Sequence, residues 1–259
     1  MKPAQERPSD VPAARPELPT DVVARIRRER QAPRLWHWDA PHLEALRRGI
    51  VEALTRLPVR RGPALDVWCG TKPYDVLLGG TVIGLDIDRH FGAADVLGRT
   101  PFPLRDGAVD MVLCSQALHI LPDPAATVSE MHRVLAPGGH ALVTVPGLML
   151  RLGPSAFEGR HTRASFAARF AGWESVDVQG SGGPGAAAAH AVNLLLDAAR
   201  RRAGLPAAAA APLHAAVNLL GMAVEALARP WRARYPHVLV LTARRPAPAA
   251  GADVPDDGA

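Results

Sequence analysis

Four short runs constrain this chain more than any other feature: "PALDVWC" at 63–69, "TVIGLDID" at 81–88, "AVDMVLCSQAL" at 108–118 and "HALVTVPG" at 140–147. Each is almost continuously apolar instead of alternating, so each reads as a strand covered on both faces. Strands of that kind, alternating with helices, imply a parallel sheet between two helical layers. The segment "DPAATVSEMHRVLAPGG" between the third and fourth runs reads as a helix, opened by Asp123 and Pro124 and closed by Gly138 and Gly139 past its end. Upstream, Leu43, Leu46, Ile50, Val51, Leu54 and Leu57 fall near helical spacing, which predicts an amphipathic helix leading into the first strand.

The second half has a different texture. "WESVDVQG" alternates like a strand and "HVLVLTARR" reads as a last strand. Between them two Ala- and Leu-rich helical segments are expected, at about 186–203 and 212–228, joined by the low-complexity "LPAAAAAP". The expected architecture is α/β: a Rossmann-like, doubly wound, mostly parallel sheet in three αβα layers, with a helical insertion before the last strand. Domain boundaries follow from composition. Residues 20–246 form the domain, with the insertion at 186–234. The Pro-, Ala- and charge-rich ends at 1–19 and 247–259 have no apolar period with which to offset their ordering entropy, so both are read as disordered tails.

A length of 259 residues, 48% of them apolar, suffices for one sizeable core. The net charge of +5 is carried by arginines spread from Arg7 to Arg245, without a basic helix or aromatic platform, which argues against nucleic acid as a partner. Cys69 and Cys114, the two cysteines, sit in strand-like contexts, which excludes a disulfide framework and points to a reducing cytoplasm. The chain opens on Pro and charge, so no leader peptide is read there. Its longest apolar stretches are broken by Asp197 and Glu225 and fall short of a span of ~20 residues. No membrane span is therefore expected, and the late apolar helices are candidates for a homo-oligomer surface.

The motifs "LDVWCGTKPY", "VIGLDID", "PFPLRDGAVDMVLCSQALHILPDP" and "EMHRVLAPGGHALVTVP", in that order and spacing, resemble the class I S-adenosylmethionine-dependent methyltransferases, in a small-molecule branch with a "GCGTKPY" loop. The resemblance is strong over residues 64–146. It implies S-adenosylmethionine as cofactor, with contacts at Asp66, Trp68, Cys69, Gly70, Asp86, Ile87 and Ser115. Asp86 lies twenty positions after Asp66, at the end of the second run, where an acid accepts the two ribose hydroxyls; Asp88 is the alternate. The family's loop glycines stand at Trp68, Gly70 and Lys72, so two of the three are replaced. No acid occupies the slot near Gly98 and Arg99 that would meet the adenine; Asp95 is the nearest.

Catalytic and acceptor residues are less marked, because methyl transfer from a sulfonium depends mainly on alignment. His119 and His161 are the candidate acid-base residues, as an imidazole titrates near neutrality. Arg160 and His161, in "FEGRHTRASFAARFAGW", resemble an acceptor-pocket segment, and Trp36, His37 and Trp38 are placed to close a pocket from the N-terminal side. No metal is implied. The expected function is methyl transfer to a small molecule. The alternative is a degenerate methyltransferase fold that binds or scaffolds. A nicotinamide oxidoreductase is disfavoured by the missing G-x-G-x-x-G.

Overall fold

A computed structural model describes residues 15–121, 123–149 and 161–247 of the chain. The four apolar runs become β1 (Ala64–Val67), β2 (Val82–Asp86), β4 (Val109–Ser115) and β5 (Leu135–Pro146), with the two-residue β3 (Val96–Leu97) beside β2. β6 (Glu174–Ser181) and β7 (Val238–Arg244) complete a seven-stranded sheet of order β3-β2-β1-β4-β5-β7-β6. All pairings from β3 to β5 are parallel, while β7 runs antiparallel to both of its neighbours. The order reverses between β1 and β4, and a crevice opens at the carboxyl ends of those strands.

Side chains alternate between two cores. Leu65 and Val67 of β1, Val112 and Cys114 of β4, and Val143 of β5 face one core, which is closed by Val128 and Met131 of α4 (Pro124–Val134) together with Phe166 and Phe170. Ala64, Met111, Leu113 and Leu142 face the other, closed by Leu46, Ile50 and Ala53 of α2 (Ala40–Leu54). The sheet is thus covered on both faces, as the unbroken apolar runs require.

Several boundaries differ from the sequence reading. The N-terminal region is two helices, α1 (Thr20–Gln31) and α2, because Pro33 lies between them and a turn occupies 35–39. α4 ends at Val134 with Leu135 already extended, so Gly138 and Gly139 do not close it; they lie inside β5. The alanine run does not link two helices. After α6 (Pro184–Arg202), α7 spans Ala207–Leu227 with Pro212 inside it, and the turn is confined to about 203–206. At 21 residues α7 is longer than the segment read from the sequence, and it is long and apolar enough, by length and composition alone, to cross a membrane. Its buried residues are His214, Asn218 and Gly221, while Leu219, Leu220, Met222 and Leu227 are exposed.

The α6–α7 contact is close because of glycines. A Cβ on Gly221 would stand 2.5 Å from the Ala189 Cβ, and one on Gly185 would stand 2.4 Å from the Glu225 backbone nitrogen. Of the expected tails, residues 1–14 and 248–259 lie outside the described residues. The inner end of the first is attached to the domain: Leu18 N–H donates to the His90 carbonyl at 2.8 Å, and Arg15 pairs with Asp88 at 3.0 Å.

Candidate functional site

The loop after β1 keeps the backbone shape of a glycine loop with only one of its glycines. Trp68, Gly70 and Lys72 have φ of 57°, 54° and 48°. All three are left-handed, a region costing a side chain-bearing residue about 1–2 kcal/mol. At Gly70 the space is also open: a Cβ would meet nothing nearer than Phe91 at 3.8 Å. The Lys72 ammonium turns away to the Val82 carbonyl (3.2 Å) and the Asp95 carboxylate (2.6 Å), and Asp95 also accepts from Gly84 N–H at 2.7 Å. Asp95 is thus held by Lys72 and the β2 backbone.

Asp86 is fixed by two backbone donors, Gly70 N–H at 2.9 Å and Ile87 N–H at 2.8 Å. Burial raises its pKa and those two hydrogen bonds oppose the rise. Ile87 beside it is partly exposed, and Asp88 is committed to Arg15. Asp66, at the end of β1, is 2% exposed and has no hydrogen-bond partner among the described residues. Burial pushes its carboxyl up to about 8, assisted by Asp75 and Asp86 and opposed by Lys72.

Asp66 and the loop border a cavity of about 370 Å³, lined by Asp66, Trp68, Cys69, Gly70 and Ser115 and continuing past Trp38, His42 and His190, whereas Asp86 and Ile87 are not on its wall. Ser115 Oγ lies 3.3 Å from the Thr144 hydroxyl at the end of β4. The next residue, Gln116, also lines the cavity and has φ of 55°, held by hydrogen bonds from its N–H to the Thr144 carbonyl (3.0 Å) and hydroxyl (3.1 Å). Strain of this kind collects at functional sites. The Trp68 indole packs against the core on the α4 face, and its Nε1 is buried without an acceptor among the described residues. Burial raises the Cys69 thiol, with Asp66 and Asp86 adding to the rise, so it stays protonated.

Other residues singled out in the sequence lie elsewhere. His119 is buried in the short 3₁₀ turn Leu118–Ile120 and does not line the cavity. His161 precedes α5 (Arg163–Ala167), with its ring 5.5 Å from Phe166, and is likewise not on the cavity wall. Arg160 lies outside the described residues. Trp38 does line the cavity, whereas Trp36 is 48% exposed.

Sequence reasoning missed the far end of the cavity. His42 of α2, His190 of α6 and His237 just before β7 converge there, with ring centroids 5.2–5.3 Å apart in every pairing. Their separation along the chain leaves no local pattern to read. Desolvation lowers all three: His42 well below the ordinary value, His190 to about 4, and His237 less strongly, with its hydrogen bond to Leu148 opposing the drop.

The residues present suit the methionine and ribose ends of an adenosyl cofactor: an open left-handed glycine, an acid fixed on the loop's own N–H, and an unpartnered buried acid beside them. Residues 65–143 match the methyltransferase domain family. That match covers less than half of the chain, while the seven-stranded fold as a whole is shared with solved methyltransferase structures. Among curated relatives, the demethylmenaquinone methyltransferase of Geobacillus stearothermophilus is 32% identical over 112 residues, covering 34% of this chain and 47% of that protein. The chain thus spans about half the length of the curated relatives it matches. Among solved structures, the 4+2 cyclase SpnF superposes with a TM-score of 0.52 at 19% identity, covering 77% of this chain and 80% of that one. A methyltransferase from Thermotoga maritima gives 0.50 at 15% identity, covering 87% and 97%.

Proposed function

We propose that the chain transfers a methyl group from S-adenosylmethionine to a small-molecule acceptor. The observation that carries this reading is the hydrogen bond between Gly70 N–H and Asp86, which fixes a ribose-type acid on the edge of a left-handed loop bordering the cavity. In this reading Asp86 accepts the ribose hydroxyls, Ile87 flanks the adenine, and the backbone of Trp68, Cys69 and Gly70 passes close to the methionine portion. Asp66 takes the amino group, with Ser115 at the end of the neighbouring strand β4. When bound, the cofactor supplies an electrophilic methyl group on a sulfonium. The chain's own contribution is to hold the two reactants in line and exclude water, a contribution that proximity alone can make large. No acid or base is required of His119 or His161.

The apolar wall of Trp38, Leu43, Leu46, Met149 and Leu194 supports an acceptor with an apolar ring or chain, and about 370 Å³ limits it to a small molecule. The matched relatives' names, which refer to demethylmenaquinone, favour the same class. The acceptor-side role read for Arg160 and His161 has no support from the cavity lining.

A second reading is a binding or scaffold protein on the same fold. It is favoured by Trp68, whose indole stands where the loop has glycine in the family it resembles. Calorimetric titration with S-adenosylmethionine and S-adenosylhomocysteine separates the two. Micromolar binding by the parent is expected, weakened at least ~100-fold in Asp86→Ala, because two charge-assisted hydrogen bonds are each worth about 1.5–3 kcal/mol. Absence of binding by the parent would remove the methyl-transfer reading.

A further inference from the structure

The three histidines at the far end of the cavity have a geometry that the proposed methyl transfer does not use. His42 and His190 line the cavity and His237 lies behind them, fully buried. One nitrogen from each lies within 4.8 Å of the other two. The closest pair, His42 Nδ1 and His237 Nε2, is 3.3 Å apart. Two nitrogens on a tetrahedral zinc ion, each bonded at ~2.0–2.1 Å, stand roughly 3.3 Å apart.

The proton position on His237 favours ligation as well. His237 Nδ1 lies 2.8 Å from the Leu148 carbonyl, which can only accept, so Nδ1 carries the proton and Nε2 offers a lone pair, to which His42 Nδ1 donates without a metal; ligation through His42 Nδ1 moves that proton to its Nε2. A backbone carbonyl on the outer nitrogen is the arrangement that orients a metal-binding imidazole. His190 is 3% exposed, and its Nδ1 is buried without a partner among the described residues. The Trp38 ring stacks on His190 at 5.7 Å and restricts how that imidazole can turn. A buried histidine nitrogen without a hydrogen bond is unusual in a core whose other polar groups are paired.

We propose that His42, His190 and His237 form a binding site for a divalent transition metal of the zinc class, with its fourth position open to the cavity. Three imidazoles and no carboxylate select zinc and its neighbours over magnesium or calcium. An incoming dication meets an environment of mixed sign: Arg30 on the cavity wall opposes it and Asp39 on the same wall favours it, while Asp66, protonated near neutral pH, adds no charge. The open position faces the apolar wall described above, so a heteroatom of an acceptor entering there, such as a thiol or phenol, is its natural fourth ligand. That last step rests on the methyl-transfer reading; the metal site does not.

The test uses the full chain without an affinity tag, stripped with a chelator and titrated with Zn²⁺ in competition with a chromophoric chelator, and separately with Co²⁺. One equivalent of zinc per chain and the intense visible absorption of tetrahedral Co²⁺ are expected. His190→Ala and His237→Ala should each weaken zinc binding at least tenfold, while His140→Ala, outside the cluster, should leave it unchanged. Failure of the unaltered protein to take up one equivalent would overturn the site whether or not the variants fold. So would uptake that His190→Ala and His237→Ala leave intact, or a Co²⁺ spectrum of octahedral, surface-bound ion. Titration with S-adenosylmethionine on the same preparation separates the two proposals. Metal binding without cofactor binding removes the methyl-transfer reading alone, and cofactor binding without metal binding removes the metal site alone.

Discussion

The two ends of the cavity are governed by one force and titrate in opposite directions. At the β1–β2 end, burial raises Asp66 to about 8 and raises Asp86. At the helical end, the same desolvation lowers His42, His190 and His237. In both places burial favours the uncharged form, because few compensating charges follow these groups into the interior. Asp66 at the strand end and the imidazoles at the other are thus neutral near pH 7. The difference lies in what replaces water: Asp86 receives two backbone N–H groups, Asp66 receives none, and the histidines have chiefly one another.

The largest expected effect follows from that contrast. A carboxyl at about 8 in the folded chain and at its ordinary 3.8 when unfolded holds its proton only in the fold between those values. Its contribution to stability is complete below pH 4 and is lost as pH rises through 8, at about 1.4 kcal/mol per pH unit at most. The histidines have the reverse sign. Their folded values are depressed, so the unfolded chain takes up protons first and stability falls as pH drops below 6.5 toward 4. Urea midpoints between pH 6.5 and 8 isolate Asp66 from the histidines. The parent should lose stability across that window, and Asp66→Asn should largely flatten the decline. Equal slopes in the two proteins would show that burial does not govern the strand end.

The two ends also differ in how far the sequence disclosed them. Asp66 and Asp86 belong to one strand-loop-strand unit, so a fixed spacing and a small-residue loop were enough to find them. The sheet itself was equally open to reading, since short, continuously apolar runs alternating with helices fit strands covered on both faces. The histidine end is assembled by folding from α2, α6 and the start of β7. His42 and His237 are in contact across 195 positions, and no spacing rule reaches that far. The alanine run before α7 was misread for a local reason. Pro206 and Pro212 bracket it, and proline usually marks a boundary, yet the helix runs on through Pro212 without the hydrogen bond that its missing N–H would have made to Ala208. Trp68 was half-read: the backbone slot was recognisable, but the direction of the indole depends on the core on the α4 face, which no local stretch encodes.

A smaller effect tests whether the helical end is held as rigidly as the strand end. Asn218 of α7 accepts from Asn193 of α6 at 2.7 Å and donates to the carbonyls of Leu35 (2.6 Å) and His37 (3.0 Å). It thereby fastens the turn that carries Trp38. Asn218→Ala leaves a buried amide and two carbonyls without partners, at a cost of about 1–3 kcal/mol. Thermal melting should fall by roughly 4–8 °C for a loss near 2 kcal/mol, while affinity for S-adenosylmethionine changes by less than ~threefold. A comparable loss of cofactor affinity would mean that the two ends are mechanically coupled.

The smallest expected effect concerns the strand end itself, where Trp68 holds a left-handed backbone at φ 57°. Replacement by glycine relieves about 1–2 kcal/mol of backbone strain. It also removes an indole packed against the α4-side core, which for a partly buried ring costs about half of the 3–5 kcal/mol of a full truncation. The two terms nearly cancel, so Trp68→Gly should shift stability by about 1 kcal/mol or less, as read from the urea midpoint. Because the indole is directed into the core and the neighbouring backbone already has the shape of a glycine loop, affinity for S-adenosylmethionine should stay within ~threefold. A gain of tenfold or more would mean that the indole also blocks the methionine end of the cavity, and that the strand end is closed by a side chain where the helical end stays open.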